Sequence, residues 1–325
     1  MSNPRPDPAG ALAPEGRPAK TMRVGSRGSL LAQRQAEGVR DALARLGVEA
    51  EWVHIRTEGD LILDRPLTAI GGKGVFTKEI EDALLDGRID VAVHSLKDLP
   101  TELPKELVLA AVTRREDPRD VFIAKDGVTG LANLPKGAAV GTGSLRRRAQ
   151  LQAFRPDLKM VDLRGNLDTR LRKLESGEMD GIVMAAAGFA RMGWTDRITE
   201  TLPPEVCLPA VGQGALALEC RAGDRETNSW VSPLDHSETR RAVEAERALL
   251  RRLEGGCQVP VGALGEVRDG RISLQGVIAS LDGESLVRGA ASGEDPEGVG
   301  TRLAEDLLDR GGEDILREIR SAGST

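Results

Sequence analysis

Two adjacent charged side chains, Lys97 and Asp98, stand in the cluster His94-Ser95-Leu96-Lys97-Asp98-Leu99-Pro100, directly after the apolar run Ile89-Asp90-Val91-Ala92-Val93. The run predicts a buried strand, and the residues at its carboxyl end take the place where open α/β sheets usually keep their chemistry. A lysine there can hold an anion while the neighbouring carboxylate handles a proton or a developing positive charge. Pro100 stops the strand from continuing. A solvated surface turn would use the same residues, so the rest of the chain has to decide.

Further clusters supply anion chemistry. Gly25-Ser26-Arg27-Gly28-Ser29 joins a predicted strand to a predicted helix, presenting backbone amides, the Ser29 hydroxyl and the Arg27 charge at the strand ends. Gly141-Thr142-Gly143-Ser144-Leu145-Arg146-Arg147-Arg148 repeats the arrangement. Arg164-Gly165-Asn166-Leu167-Asp168-Thr169-Arg170 sets two guanidiniums six residues apart, a pair suited to gripping carboxylates bidentately. Gly71-Gly72-Lys73-Gly74 lacks the Ser or Thr that a Walker loop needs after its lysine, so Lys73 reads as positive lining rather than as an ATP contact. Cys257 lies between Gly255-Gly256 and Pro260 on a loop, as a nucleophile, a redox sensor or an attachment point, whereas Cys207 and Cys220 suit inert core thiols.

These clusters need elements to position them. From Met22 onward short β-rich runs alternate with amphipathic helical stretches, which predicts a mostly parallel sheet covered by helices. The charged stretch Arg114-Arg115-Glu116-Asp117-Pro118-Arg119-Asp120 interrupts it and reads as a crossing into a second α/β series. Leu208 to Gly214, rich in Pro and Gly, reads as the hinge by which the chain returns. Ser237 is a plausible cap for a helix running to Leu253, and strands over Val261–Val267 and Arg271–Ala279 then precede one or two helices. The expected organisation is a disordered tail over 1–20, a first α/β domain from 21–116 and 212–233, a second over 117–211, and a smaller α+β domain over 234–325. The expected fold class is thus two similar doubly wound α/β domains with a double crossover, as in periplasmic binding proteins, plus the C-terminal unit.

Composition excludes several functions. The net charge of -6 and the absence of Tyr argue against a nucleic-acid-coating protein with base-stacking platforms. Three widely spaced cysteines fit no disulfide framework and suit a reducing cytoplasm; the three histidines have no partner at metal-ligand spacing, so no metal site is expected. No stretch has membrane-spanning length, and the first twenty residues hold five prolines and no hydrophobic signal core.

Taken in order, Gly-Ser-Arg-Gly-Ser, Gly-Gly-Lys-Gly, His-Ser-Leu-Lys-Asp-Leu-Pro, Ser-Leu-Arg-Arg, Arg-Gly-Asn, Pro-Ala-Val-Gly-Gln-Gly and Glu-Gly-Gly-Cys-Gln resemble the porphobilinogen deaminase (hydroxymethylbilane synthase) family from Arg23 to about Leu264. The resemblance implies a monomeric three-domain enzyme in which Cys257 holds a dipyrromethane cofactor through a thioether. Four porphobilinogen units are joined to its free end, and hydroxymethylbilane is released for uroporphyrinogen-III synthase. It implies that Asp98 is catalytic. Ser29, Lys97, Asp98, Thr142, Ser144, Arg146, Arg147, Arg164 and Gln213 would contact the cofactor, and Arg27, Gln35, Lys73, Arg170 and Arg191 the substrate. Gly143 departs from the family pattern by replacing a common hydroxyl residue, and Ala69 stands where some members carry lysine.

Overall fold

The computed structural model describes residues 21–57, 77–125, 127–253 and 259–322. Its order is β1 (Met22–Arg27), α1 (Leu30–Arg45), β2 (Ala50–Ile55), α2 (Lys78–Leu85), β3 (Val91–Ser95), β4 (Leu107–Val112) and β5 (Asp120–Ala124). Then come β6 (Ala139–Gly141), α3 (Leu145–Phe154), β7 (Lys159–Val161), α4 (Leu167–Glu175), β8 (Gly181–Ala185), α5 (Ala186–Met192) and β9 (Glu200–Thr201). The chain ends through β10 (Leu216–Arg221), α6 (Arg225–Val231), α7 (Ser237–Arg252), β11 (Val261–Arg268), β12 (Arg271–Ala279), β13 (Leu286–Gly293), α8 (Pro296–Leu307) and α9 (Glu313–Ala322).

Two five-stranded sheets form the lobes, with orders β2-β1-β3-β10-β4 and β7-β6-β8-β5-β9. Neither is mostly parallel, contrary to the sequence expectation. In the first sheet β1 runs parallel to β2 and β3, but β10 is antiparallel to β3 and β4. In the second, β6 is parallel to β7 and β8, while β5 is antiparallel to β8 and β9. The reason lies in the double crossing. β5 and β10 are the strands that enter a lobe from its neighbour, so each starts at the edge of the cleft where β3 and β8 end.

The two crossings lie side by side, with Glu116 N donating to Gly214 O and Thr113 N to Leu216 O. Gly214 has φ +92°, and a Cβ there would come within 2.5 Å of Glu116 O, so only glycine admits this approach. Arg115 and Glu246 pair across to α7, and Glu246 also accepts from Gly212 N and Gly265 N, each at 2.7 Å. One fully buried carboxylate thereby joins both crossings to the third unit.

That unit is the antiparallel sheet β11-β12-β13 under α7 and α8, with a core that includes Leu249, Ile272, Leu274 and Leu303. The sequence reading missed β13. Its Gly289 and Gly293 weaken the strand pattern, yet Leu303 Cδ1 lies 3.0 Å from where a Gly289 Cβ would be, so small residues are what let α8 close on the strand. The cap of α7 also differs from expectation, since His236 Nδ1, not Ser237, accepts from Thr239 N at 3.3 Å. Among the described residues no helix is long and apolar enough to cross a membrane.

Candidate active site

A cavity of about 350 Å³ opens between the lobes where β3 and β8 end. Arg27, Ser29, Gln35, His94, Ser95, Lys97 and Asp98 line it from the first lobe. Gly143, Arg147, Arg164, Asn166, Asp168, Arg170 and Arg191 line it from the second, and Gln213 and Gly214 of the return crossing complete it. Lys73 and Cys257 lie outside the described residues, as do Ala69 and residues 1–20.

Local folding places each of these groups. Ser29 caps α1 in an extended conformation, its Oγ accepting from Ala32 N at 3.2 Å, so Arg27 stands at the strand-to-helix turn. Gln35 is one helical turn and a half further on; its amide donates to Ser95 Oγ at 3.0 Å and ties α1 to the end of β3. β3 then tightens into a single 3-10 turn, Leu96–Asp98, which leaves Asp98 exposed and Lys97 half-buried. Lys97 Nζ donates to Gln213 Oε1 at 3.3 Å.

In the second lobe Arg147 Nε and Nη2 bond Asp120 Oδ1 at 3.0 and 2.7 Å, and Nη1 reaches Val183 O at 3.2 Å. Arg170 Nε donates to Gly165 O at 2.7 Å, Arg164 Nε to Asp162 Oδ2 at 3.0 Å, and Arg191 Nη2 to Gly214 O at 2.6 Å. These bonds hold the stems of the guanidiniums against the cleft wall.

Three residues expected at the cofactor do not border the cavity. Arg146 is adjacent to Arg147 on α3, and consecutive helical side chains diverge by about 100°. Its Nη1 therefore turns inward, to Asp120 Oδ2 at 2.7 Å and Leu208 O at 2.6 Å. Thr142 is buried and its Oγ1 accepts from Ser144 N, while Ser144 Oγ accepts from Arg147 N and caps α3. All three shape the wall from behind.

The sequence reading missed Asp120, which is fully buried and shared by Arg146, Arg147, Gln213 Nε2 (2.9 Å) and the Cys207 thiol (3.2 Å). Burial pushes its carboxyl toward the neutral form, but the two guanidiniums outweigh that and hold its pKa far below the usual range. The only signal available was a charged residue opening the apolar run Val121-Phe122-Ile123. His94, Asn166 and Asp168 are further lining residues that spacing did not single out.

The cavity's electrostatics follow from this crowding. Burial, then repulsion from Arg147, lowers the Lys97 ammonium to about 8, with Asp98 and Asp120 pulling it back up. Burial, then Arg147 and Arg164, lowers Arg170 to about 10. Among the described residues, five arginines and a lysine thus line the cavity beside only two carboxylates, Asp98 and Asp168, in a chain whose net charge is -6. Such a site attracts a ligand carrying several carboxylates.

Residues 22–229 match the family model described as porphobilinogen deaminase, dipyromethane cofactor binding domain, and residues 240–309 match the porphobilinogen deaminase C-terminal domain. The chain belongs to the porphobilinogen deaminase family. Among similar relatives, the porphobilinogen deaminase of Desulforudis audaxviator is 55% identical over 302 residues, covering 92% of this chain and 97% of the relative. That of Desulfitobacterium hafniense is 53% identical over 303 residues, covering 93% and 98%. Similar solved structures include the periplasmic VFT2 domain of Bordetella pertussis BvgS, with TM-score 0.40 and 15% identity, covering 66% of this chain and 86% of that one. A periplasmic substrate-binding protein of a Coxiella burnetii ABC transporter has TM-score 0.42 and 18% identity, covering 70% and 95%. The members of this family are the hydroxymethylbilane synthases, and the family model implies a dipyrromethane cofactor. The donor set fits that group, because carboxylate-bearing pyrroles need the cationic and amide donors that line this cavity.

Proposed function

We propose that the chain deaminates porphobilinogen, joins four units head to tail onto a dipyrromethane primer tethered by a thioether at Cys257, and releases hydroxymethylbilane hydrolytically. The carrying observation is the juxtaposition of one open carboxylate, Asp98, with Arg27, Lys97, Arg147, Arg164, Arg170 and Arg191 in a single cavity. The cofactor, when bound, supplies the free pyrrole carbon at which the chain begins. The arginines hold the acetate and propionate groups of the substrate, which would otherwise meet repulsion from the protein's net negative charge.

Asp98 acts where charge changes. As the substrate's carbon–nitrogen bond breaks, the electron pair leaves with ammonia and the substrate's pyrrole becomes cationic. A fixed carboxylate stabilises that cation more than the neutral ground state, which lowers the barrier. Once the carbon–carbon bond has formed, Asp98 accepts the proton shed by the ring carbon. We read the protein as a cytoplasmic monomer whose product passes to uroporphyrinogen-III synthase.

Intact-protein mass spectrometry tests this reading. Active material should exceed the polypeptide mass by two pyrrole units, and Cys257→Ser should lose them. An unmodified mass in fully active protein would refute the tethered primer, and ligand binding without turnover would make the chain a binding protein instead.

A further inference from the structure

Behind the Lys97–Asp98 turn lies a charge that the reaction above does not use. Arg247 stands within α7 and is 6% exposed. Its Nη1 donates to Leu99 O at 3.2 Å and its Nη2 to Pro100 O at 2.6 Å, the two carbonyls that follow Asp98. Among the described residues no carboxylate lies within ion-pair distance of it. Glu219 and Glu244 act on it only at longer range, and Arg251 opposes them. Glu219 is itself fully buried and committed to His94 Nε2 at 3.1 Å, on the strand that leads into the turn. Burial, followed by Arg251, lowers the Arg247 guanidinium to about 10, so it remains charged at neutral pH.

A buried cation held mainly by carbonyl oxygens is unfavourable unless the geometry it imposes is needed. The apolar packing under the turn comes from a neighbouring residue, since Val243, one turn earlier on α7, shares a buried cluster with Leu96 and Leu99. The same helix ends at Arg252, five residues before Cys257. We propose that Arg247 is a positioning residue, one that fixes the backbone behind Asp98 and so sets the place of its carboxylate in the cavity. The inference rests on the function proposed above.

The test is steady-state consumption of porphobilinogen by the full-length, cofactor-bearing protein. Arg247→Met and Arg247→Lys are compared with the parent, each with Asp98 intact and with Asp98→Glu. Arg247→Met should lower kcat by about tenfold or more and change KM by less than about threefold, because an ångström of misplacement acts on the transition state. Its intact mass should still show two pyrrole units. Arg247→Lys, which keeps the charge and one donor, should lose only about threefold in kcat.

The double variants separate positioning from mere packing. If Arg247 acts through Asp98, the penalty of lengthening that side chain should shrink about fivefold or more in the Arg247→Met background. Fully multiplicative effects, or a kcat for Arg247→Met within about twofold of the parent, would overturn the proposal. Should Arg247→Met fail to fold or load its cofactor, Arg247→Lys decides, and parental kcat and KM in that variant overturn it. A parent protein that lacks the pyrroles and consumes no porphobilinogen would instead defeat the function proposed above.

Discussion

Asp98 and Asp120 stand at corresponding places, each at the cleft end of a strand, one in each lobe, and their surroundings are opposite. Asp98 is exposed on a 3-10 turn and has no hydrogen bond or ion pair among the described residues, while Lys97 beside it reaches away to Gln213. Asp120 is fully buried and saturated by Arg146, Arg147 and Gln213. A carboxylate already matched by two guanidiniums has nothing left to offer a cation, whereas an unmatched one in a cationic cleft does. The same residue type therefore stiffens the wall in one lobe and is left available for chemistry in the other.

The largest effect that would test this contrast is on turnover. Asp98→Asn should lower kcat by about 10³-fold, or about 4 kcal/mol of transition-state stabilisation, while the cofactor mass and the unfolding midpoint stay unchanged. Near-normal kcat would remove Asp98 from the chemistry. Asp120→Asn should act in the other direction, costing about 3 kcal/mol of stability by stranding two buried guanidiniums. Because the folded pKa of Asp120 is depressed, its stabilisation is present above the ordinary carboxylate value, about pH 4, and is lost as pH falls further. Denaturant titrations at neutral and acid pH should show the gap between parent and variant closing. A stable but inactive Asp120→Asn would mean that the two aspartates exchange roles.

Much of the cleft was legible in the sequence because its groups sit on short motifs at strand ends, where Gly, Ser and Arg mark a turn into a helix. Arg27, Lys97, Asp98, Arg147, Arg164 and Arg170 belong to such motifs and line the cavity. What spacing could not reveal is which of two neighbours turns inward. Arg146 and Arg147 are indistinguishable as text, and only the position of Asp120, brought to them by the antiparallel entry of β5, separates them. Strand direction was hidden for the same reason, since a run such as Leu216–Arg221 carries no record of the side from which it is entered.

Gly143 gives a smaller effect that bears on the second lobe's wall. A Cβ there would lie 2.8 Å from Leu163 O, the carbonyl that leads into Arg164. A serine at this position therefore does not fit this backbone without a shift of that loop. Gly143→Ser should cost about 1–2 kcal/mol in stability and raise KM several-fold with little change in kcat. An unchanged KM would show that the position of Arg164 does not depend on this close approach.

The last prediction concerns Lys97, which touches both regions, because Gln213 Oε1 accepts from Lys97 Nζ and from Arg147 Nη2 while Gln213 Nε2 donates to Asp120. Its ammonium is lowered to about 8, so the free protein loses this charge as pH climbs through that value, and a ligand bearing carboxylates then binds one cation fewer. KM for porphobilinogen should rise about fivefold between about pH 7 and about pH 9. Lys97→Arg, whose guanidinium stays charged over that range, should flatten the rise, and Lys97→Met should start from a high KM with no rise at all. If Lys97→Met kept the parental profile, the titrating group would lie elsewhere, and the link between the open carboxylate and the saturated one would be structural only.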